Sequence, residues 1–372
     1  MSKIPFLKPN VVDIDKYKHY VDRIDRSHYY SNFGPLNTLF EQKVLEGYFD
    51  NHGAVTTVNN ATTGLMLAIS ALKRSKGRYA LMPSFTFSAT ALAAVWCGLE
   101  PYFIDVTEEE WCMDEKLLHD AINELGDDLA IVIPYDTFGK GMNLSFYEKL
   151  SNNGIPVVID AAASFGTNVD SVQFGKGFSG AVVFSFHATK AFGVGEGGLI
   201  YSEDKDLISK IRQSSNFGFS QERETFIQGL NGKMSEFTAA IALATLESFD
   251  LKIKHLQNLY DLYSDLFKKT RLIDDGWKLQ KTSSTTPHQF LPVKCPKDTQ
   301  NTEILGQLLS SDIEARTYFD PACHEQELFK KYPSTSLEVT NSLSTSILSL
   351  PLWVGLTETQ VSKIIGVLKN VR

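Results

Sequence analysis

Cysteine is scarce in this chain of 372 residues, and the sequence gives little support for disulfide bonds or a metal site. It contains no CxxC pair, and no cysteine stands at ligand spacing from a histidine, as a zinc or redox site would require. We therefore expect reduced thiols and no bound metal at the four positions, which are Cys97, Cys112, Cys295 and Cys323.

Long apolar runs are also absent. No stretch approaches the roughly 18 apolar residues that a membrane-spanning helix needs, and the segment MSKIPFLKPN lacks the apolar core of a signal peptide. The sequence therefore predicts a cytoplasmic protein with no membrane partner.

Blocks of basic residues are missing as well. The chain has 36 Lys and Arg against 44 Asp and Glu, a formal charge of -8, and no alternation of basic and aromatic residues. We expect no nucleic-acid partner.

Apolar residues make up 43% of the sequence, enough for a large core. From residue 55 to 201 short apolar runs alternate with helix-length segments, and several runs lack the polar alternation of a half-exposed strand. This pattern predicts a doubly wound α/β sheet with helices on both faces. The predicted strands are AVTTV, YALM, PYFID, LAIVIP, PVVID, AVVFSF and GLIY.

A smaller unit is predicted after this region. Residues 234–270 contain no proline or glycine and are rich in helix formers, so they predict one long helix between the two units. We expect a large domain over residues 1–245, with a helix in LNTLFEQKVLEGYF, and an α+β domain over residues 246–372. In the latter, the predicted strands are HQFLPV and DIEART, and the predicted helices are NTEILGQLLS and ETQVSKIIGVLKN.

An acid and an amine are predicted at one edge of the sheet. Asp160 ends the run IPVVID, and Lys190 follows the run AVVFSF; the carboxyl ends of such strands are where open α/β sheets bind ligands. Pyridoxal phosphate requires this pair, a lysine for the Schiff base and an acid that keeps the ring nitrogen protonated. On spacing alone the alternative stays open that Asp160 caps a strand and Lys190 is a solvated loop residue.

Two further segments favour a phosphorylated, flat cofactor. NNATTGLMLAIS places Thr62 and Thr63 immediately before an apolar helical pattern, where amides and hydroxyls can bind phosphate. PSFTFSATALAAV places Phe87 beside a predicted helix start, where its ring can stack on the cofactor. Each feature alone also fits an ordinary helix cap or a core phenylalanine.

The ordered series of motifs resembles the DegT/DnrJ/EryC1/StrS family of sugar aminotransferases. The resemblance extends from KIPFLKPN to LSLPLWVGLTETQ and implies the aspartate aminotransferase type of fold, fold type I of pyridoxal phosphate enzymes, in a homodimer with shared active sites. The segments that carry it are NNATTGLMLAI, PSFTFSATALAAVWCGLEPYFIDV, DAAASFG, FSFHATKAFGVGEGG, GLNGKMSEFTAAIAL and ARTYFDPACHEQ.

The resemblance also implies a role for each residue of the site. Lys190 would form the Schiff base with pyridoxal 5'-phosphate and then act as general base and acid. Asp160 would pair with the pyridinium nitrogen, and Phe87 would stack on the ring. The phosphate would be held by Thr62, Thr63 and Ser185, together with the partner subunit's Asn231.

Three positions depart from the family pattern, and one of them is Gly232, where the family has an aromatic residue. Ala163 stands where the family often has Gln or His near the phenolic oxygen of the cofactor. The lost hydrogen bond would either alter the protonation of the Schiff base or leave room for a water or for Ser164. Lys233, in GLNGK, stands where the family has the arginine of GYNYR. Lysine keeps the charge but cannot make the planar bidentate contact of arginine, so we expect donor or nucleotide binding to differ in detail.

Other polar residues match the part of the family pattern that lies near the substrate. Arg316, Tyr318 and His324 would lie near the sugar and the diphosphate; the alternative is that they are surface residues of the small domain. His187 is close to Lys190 in sequence, and we interpret it as structural.

The resemblance thus predicts a transaminase that moves an amino group from glutamate to a nucleotide-linked 4-keto-6-deoxyhexose. The product would be a 4-amino-4,6-dideoxy sugar for a surface polysaccharide such as lipopolysaccharide O-antigen. A 3-keto sugar or a cyclitol ketone is the alternative acceptor, because the same cofactor residues would serve it. A cofactor-binding regulator without turnover is a more remote alternative, against which the intact Lys190 and Asp160 argue.

Overall fold

The computed structural model describes residues 3–282 and 285–370. The helices in this part of the chain are α1 (Ile14–Ser27), α2 (Pro35–Phe49), α3 (Ala61–Leu72), α4 (Ser88–Trp96), α5 (Glu115–Leu125), α6 (Ser145–Asn152), α7 (Lys205–Ser214), α8 (Glu236–Leu246), α9 (Phe249–Lys269), α10 (Asn301–Ser310), α11 (Glu338–Ser346) and α12 (Glu358–Lys369). The strands are β1 (Ala54–Val58), β2 (Tyr79–Pro83), β3 (Glu100–Ile104), β4 (Leu129–Val132), β5 (Val158–Asp160), β6 (Asn168–Val169), β7 (Val172–Gln173), β8 (Ala181–Ser185), β9 (Gly198–Ser202), β10 (Lys278–Leu279), β11 (Leu291–Lys294) and β12 (Ile347–Leu350).

The large sheet is mixed and mostly parallel. β1, β9, β8 and β5 are hydrogen-bonded in that order, and β3, β2 and β4 form a second group. Parallel bridges from Val132 to Val157 and from Tyr135 to Asp160 join the groups between β4 and β5. β9 runs antiparallel to both of its neighbours. The predicted α/β fold is therefore confirmed, and the seven predicted strands are present as β1 to β5, β8 and β9.

Helices cover both faces of this sheet. Leu81, Val132 and Ile159 point into a core shared with α1, α2 and α8. The side chains that alternate with these along the strands, such as Met82 and Val158, point into a second core shared with α3, α4 and α7. Because successive strand residues alternate between faces, a strand buried on both sides needs an unbroken apolar run.

A third core lies on the antiparallel sheet β10–β11–β12 and is covered by α9, α10 and α12. Ile4 belongs to this core and pairs with Ile313, so the first described residues pack against the C-terminal part of the chain. The domain boundary between residues 245 and 246 stays a prediction.

The predicted single helix over residues 234–270 is wrong. The chain forms two helices, α8 and α9, which are separated at Glu247 and Ser248. The next residue, Phe249, is fully buried, and its ring stacks on Phe165 at 5.7 Å and meets Phe192 edge-on at 4.9 Å. No proline or glycine marks the break, which coincides with the burial of Phe249.

The predicted strand DIEART is also wrong. Residues 312–317 make only two isolated bridges in the described chain, one from Ile313 to Ile4 and one from Arg316 to Ser349. The two partners lie on different segments, so no continuous ladder forms. The other C-terminal predictions agree with β11, α10 and α12.

Candidate active site

A cavity of about 660 Å³ opens at the carboxyl edge of the large sheet. The ends of β5 and β8 and the beginning of α3 form one side, and Phe290, Tyr318 and Phe319 from the C-terminal part form the other. The residues predicted from the sequence that line this cavity are Thr62, Thr63, Phe87, Asp160, Ser185, Lys190 and Tyr318.

Asp160 ends β5 with its carboxylate in the cavity wall, only 3% exposed. The Thr90 hydroxyl donates to Oδ2 at 2.6 Å, and the Ala162 amide donates to Oδ1 at 3.2 Å. Burial raises the pKa of Asp160, while these two donors and the charge of Lys190 oppose the rise. These donors favour the ionised form, which can pair with a cationic group bound in the cavity.

Lys190 lies in the loop after β8, where its amine meets the same cavity. Nζ donates to Gln289 Oε1 at 3.1 Å. Burial lowers the pKa of Lys190 to about 8, and the attraction of Asp160 only partly offsets this effect. An amine with this pKa is partly uncharged near neutral pH and can act as a nucleophile or a base.

The N-terminus of α3 also faces the cavity, with Ala61, Thr62 and Thr63 in its wall. Asn60 caps the helix, since its Oδ1 accepts the amide of Thr63 at 2.8 Å. Ser185, the last residue of β8, lines the same wall. Hydroxyl groups around the positive end of a helix dipole suit a phosphate group.

Phe87 immediately precedes α4, and 57% of its side chain is exposed in this single chain. Its place in the cavity wall gives a large aromatic face that the protein itself does not cover. Such a face can stack on a flat heteroaromatic ring. The buried-core alternative for Phe87 is therefore wrong.

Ala163 lines the cavity as well, but Ser164 does not take the space that its small side chain leaves. Ser164 is fully buried and donates through Oγ to Asp136 Oδ2 at 2.7 Å. Asp136 also accepts the amides of Gly141 and Met142, and burial raises its pKa to about 6. This second buried carboxyl lies behind the cavity wall and supports the loop after β4.

Asn231 and Lys233 lie outside the cavity of their own chain. Lys233 Nζ donates to Asn231 Oδ1 at 2.8 Å and lies 4.6 Å from the ring centre of Phe217. Asn231 is exposed. The structure therefore does not bring these two residues together with Lys190 within one chain.

Arg316 and His324 do not line the cavity either. The Arg316 guanidinium lies 5.5 Å from the centre of the Phe6 ring, and His324 Nδ1 is 2.7 Å from Ser84 Oγ. His187 does line it, with Nε2 at 3.7 Å from Glu196 Oε1.

Thr90 and Gln289 contact the two central residues, and neither was predicted. Thr90 lies one helical turn after Phe87, so its proximity to the site had a local signal in the α4 sequence. Gln289 is 99 residues from Lys190 along the chain, and no local pattern connects them.

In residues 3–282 and 285–370, no group of three or more His, Cys, Asp or Glu side chains is arranged to hold a metal ion. Within the same residues no helix has the length and apolarity to cross a bilayer.

The residues that line the cavity fit pyridoxal phosphate in their chemistry. The cavity offers a reactive amine, a buried carboxylate, a helix N-terminus with hydroxyls and an uncovered aromatic face, all in one wall. A mostly parallel sheet with such a cavity at its carboxyl edge defines the class of fold type I pyridoxal phosphate enzymes.

Comparison with known proteins identifies the family. The model of the DegT/DnrJ/EryC1/StrS aminotransferase family matches residues 13–369, and the chain belongs to this family. The predictions of a transaminase and of pyridoxal phosphate as its cofactor are thus confirmed.

Relatives match this chain over almost their whole length. Protein Rv3402c of Mycobacterium tuberculosis is 33% identical over 100% of this chain and 90% of its own. The dTDP-4-amino-4,6-dideoxy-D-glucose transaminase of Escherichia coli is 27% identical, with 97% of this chain and 96% of its own covered. GDP-perosamine synthase of Vibrio cholerae is 28% identical, with 99% and 98% covered.

Two solved structures are also similar to this chain along nearly its whole length. A crystal structure from Bacillus cereus ATCC 10987, assigned as a PLP-dependent aminotransferase, is 49% identical with a TM-score of 0.97 over 99% of this chain and 100% of its own. DesI, solved with its TDP-sugar product, is 28% identical with a TM-score of 0.88 over 99% and 93%.

Proposed function

We propose that the protein transfers an amino group from glutamate to the C4 ketone of a nucleotide-linked 4-keto-6-deoxyhexose. The observation that carries this proposal is the shared cavity of Lys190 and Asp160, in a chain that matches a dTDP-4-amino-4,6-dideoxy-D-glucose transaminase along nearly its whole length. The product would be a nucleotide-linked 4-amino-4,6-dideoxy sugar, a precursor for surface polysaccharide such as O-antigen.

Several side chains of the cavity would have defined tasks in this reaction. When bound, pyridoxal phosphate supplies an aldehyde and a ring that accepts electrons. Lys190 would hold the aldehyde covalently and, once released, would move a proton at the substrate carbon, for which its pKa of about 8 is suited. Asp160, oriented by Thr90, would keep the ring nitrogen protonated.

The remaining groups would fix the orientation of the cofactor. Thr62, Thr63 and Ser185 would bind the phosphate beside the α3 N-terminus, and Phe87 would stack on the ring. Tyr318 forms part of the opposite wall and would face the sugar. Arg316, Lys233 and His324 are the remaining candidates for the diphosphate and the nucleotide.

A homodimer completes the proposed site with the partner subunit's Asn231. Asn231 is exposed, and so are four large aromatic side chains. Two of them are near Asn231 in the sequence, one is on α8, and one stacks on that α8 residue. Tyr30, Phe217, Phe226 and Phe237 are between 43% and 78% exposed, and Tyr30 stacks on Phe237 at 6.3 Å. An apolar surface of this kind is what a second copy of the chain would cover.

The test is an acceptor panel. The purified protein should release 2-oxoglutarate from glutamate and should then aminate dTDP- or GDP-linked 4-keto-6-deoxyhexoses, with NMR of the product locating the new amine at C4. The matched controls are the same ketones without a nucleotide, 3-keto isomers, a cyclitol ketone, and Lys190→Ala. Amination of only the 3-keto isomers or the cyclitol would overturn the C4 assignment, and a full rate in Lys190→Ala would overturn the role of the lysine.

A further inference from the structure

Gln289 is the hydrogen-bond partner of the Lys190 amine. Among the described residues, Nζ makes its one hydrogen bond to Gln289 Oε1, at 3.1 Å. Lys190 follows β8 of the large sheet, whereas Gln289 lies just before β11 of the C-terminal sheet. The contact therefore ties the reactive amine to a different part of the fold from the one that carries it.

The backbone at Gln289 is fixed on both sides. His288 is 3% exposed, and its ring stacks on Tyr260 of α9 at 4.3 Å with an interplanar angle of 2°. Phe290 is 5% exposed and packs against Phe138 at 5.2 Å. With both neighbours buried, the carboxamide is presented to the cavity from a rigid support.

The neutrality of the carboxamide matters because Lys190 already lies among charged and titratable groups. Those that line its two adjoining cavities are Asp160, Glu196, His187, Tyr135 and Tyr318 on one side, and Lys8, Lys252 and His288 on the other. Burial lowers the pKa of Lys190 and Asp160 raises it, with a net value of about 8. A second carboxylate beside the amine would favour the ammonium form, whereas an amide oxygen holds the amine without adding charge.

The amide nitrogen of Gln289 is not used in the contact with Lys190. Oε1 accepts from Lys190, and Nε2 donates to no acceptor in the described chain. Ala163, which also lines the cavity, has no hydrogen-bonding side chain, and Asn60, the other carboxamide of the lining, uses its Oδ1 to cap α3. Gln289 differs from Asn60 in that its oxygen holds the Lys190 amine, which leaves the Nε2 donor beside that amine for a group bound in the cavity.

We propose that Gln289 is a positioning residue for catalysis: its oxygen holds the Lys190 amine in the cavity, and its amide N–H₂ supplies to the cofactor a hydrogen bond that Ala163 cannot make. This inference rests on the proposed function, in which Lys190 binds the cofactor. In this role Gln289, a residue of the C-terminal part, would hold the amine that transfers the proton and would not transfer it itself.

The first experiment uses the full chain freed of cofactor. Amine labelling of Lys190 is followed against pH by peptide mass spectrometry, and half-maximal labelling is expected near pH 8. Gln289→Leu removes an acceptor from the ammonium form, so the midpoint should fall by about one pH unit. Gln289→Glu places an anion there, so the midpoint should rise by about one to two units. If Gln289 had a merely structural role, the labelling midpoints of the two variants would not shift in opposite directions.

The second experiment measures the capture of cofactor. Pyridoxal phosphate is added to the same proteins, and its attachment to Lys190 is trapped by borohydride over time. Gln289→Leu should slow capture by about tenfold although more of its amine is uncharged, because the amine is no longer held in place. Gln307→Leu and Gln307→Glu, on the exposed face of α10, are the matched controls and should behave as the wild type.

The outcomes separate the two proposals. Unchanged midpoints in both Gln289 variants, midpoints that move in the same direction, or an unchanged capture rate would each overturn the role of Gln289. If the wild-type protein itself attached pyridoxal phosphate to a residue other than Lys190, the proposed function would fail instead, and the labelling midpoints would still report on the Gln289 contact.

Discussion

At the scale of single residues, two neighbouring buried aspartates differ in whether their carboxylates reach the cavity. Asp160 and Asp136 are joined by a backbone hydrogen bond from the Asp136 amide to the Asp160 carbonyl at 2.9 Å, yet only the carboxylate of Asp160 lines the cavity. Thr90 and the Ala162 amide hold Asp160, whereas Ser164 and the amides of Gly141 and Met142 hold Asp136. Their adjacent positions make them a matched pair for mutation.

We predict that Asp160→Asn reduces kcat by on the order of 10³-fold while pyridoxal phosphate stays bound, because the amide keeps the shape but lacks the charge that stabilises a protonated ring. The measurement is the single-turnover rate with glutamate, together with the absorbance of the bound cofactor. Asp136→Asn is the control and should lose far less, since its side chain does not reach the cavity. Equal losses in the two variants would contradict the assignment of Asp160.

At the scale of secondary-structure elements, Asp105 ties the large sheet to the C-terminal part. It directly follows β3, is 4% exposed, and accepts the amides of Val339 and Thr340 at the start of α11 at 2.9 and 2.8 Å. The Thr340 hydroxyl donates to the same carboxylate at 2.7 Å. A residue distant in sequence thus caps the first turn of α11, where the backbone amides lack helical partners.

We predict that Asp105→Ala lowers the free energy of unfolding by about 3 kcal/mol, because it leaves buried donors unpaired. Asp114→Ala provides the comparison: Asp114 caps α5 through the amides of Lys116 and Leu117 at a more exposed position, and its loss should cost about 1 kcal/mol. Urea titration measures both losses, and hydrogen exchange at Val339 reports on the α11 terminus. A loss in Asp105→Ala no larger than that in Asp114→Ala would show that the long-range cap is unimportant.

At the scale of the whole molecule, the proposed site needs residues from two chains. Lys190 lines the cavity of its own chain, whereas Asn231 is exposed, accepts a hydrogen bond from Lys233 and is not among the residues that line that cavity. If the partner subunit's Asn231 binds the phosphate of the cofactor, each active site depends on both subunits.

We predict interchain complementation between Lys190→Ala and Asn231→Asp. Each homodimer should be impaired, the first by loss of the attachment residue and the second by a negative charge beside the phosphate. In a mixed dimer one of the two sites regains both native residues, so activity should return to about half of the wild-type level. Co-expression with two affinity tags isolates the mixed dimer. No gain over the parent proteins would mean that Asn231 serves its own chain or has no such role.

The sequence was informative wherever a local pattern meets a physical requirement. Strands buried on both faces need unbroken apolar runs, and these runs located the seven predicted strands of the large sheet. Asp160 and Lys190 were predicted to lie at the edge of the sheet because one ends such a run and the other follows one. By contrast, no proline or glycine marks the helix break before Phe249, where an aromatic cluster forms with Phe165 and Phe192.

By itself, then, the sequence determined the class of the sheet, the motifs of the family and the two central residues, since these depend on neighbours in the chain. The tertiary structure decided the antiparallel direction of β9, the cap that Asp105 provides and the contact between Gln289 and Lys190. These features join segments that are far apart in sequence. Their geometry is set by which surfaces are buried together, and no spacing within a single segment encodes it.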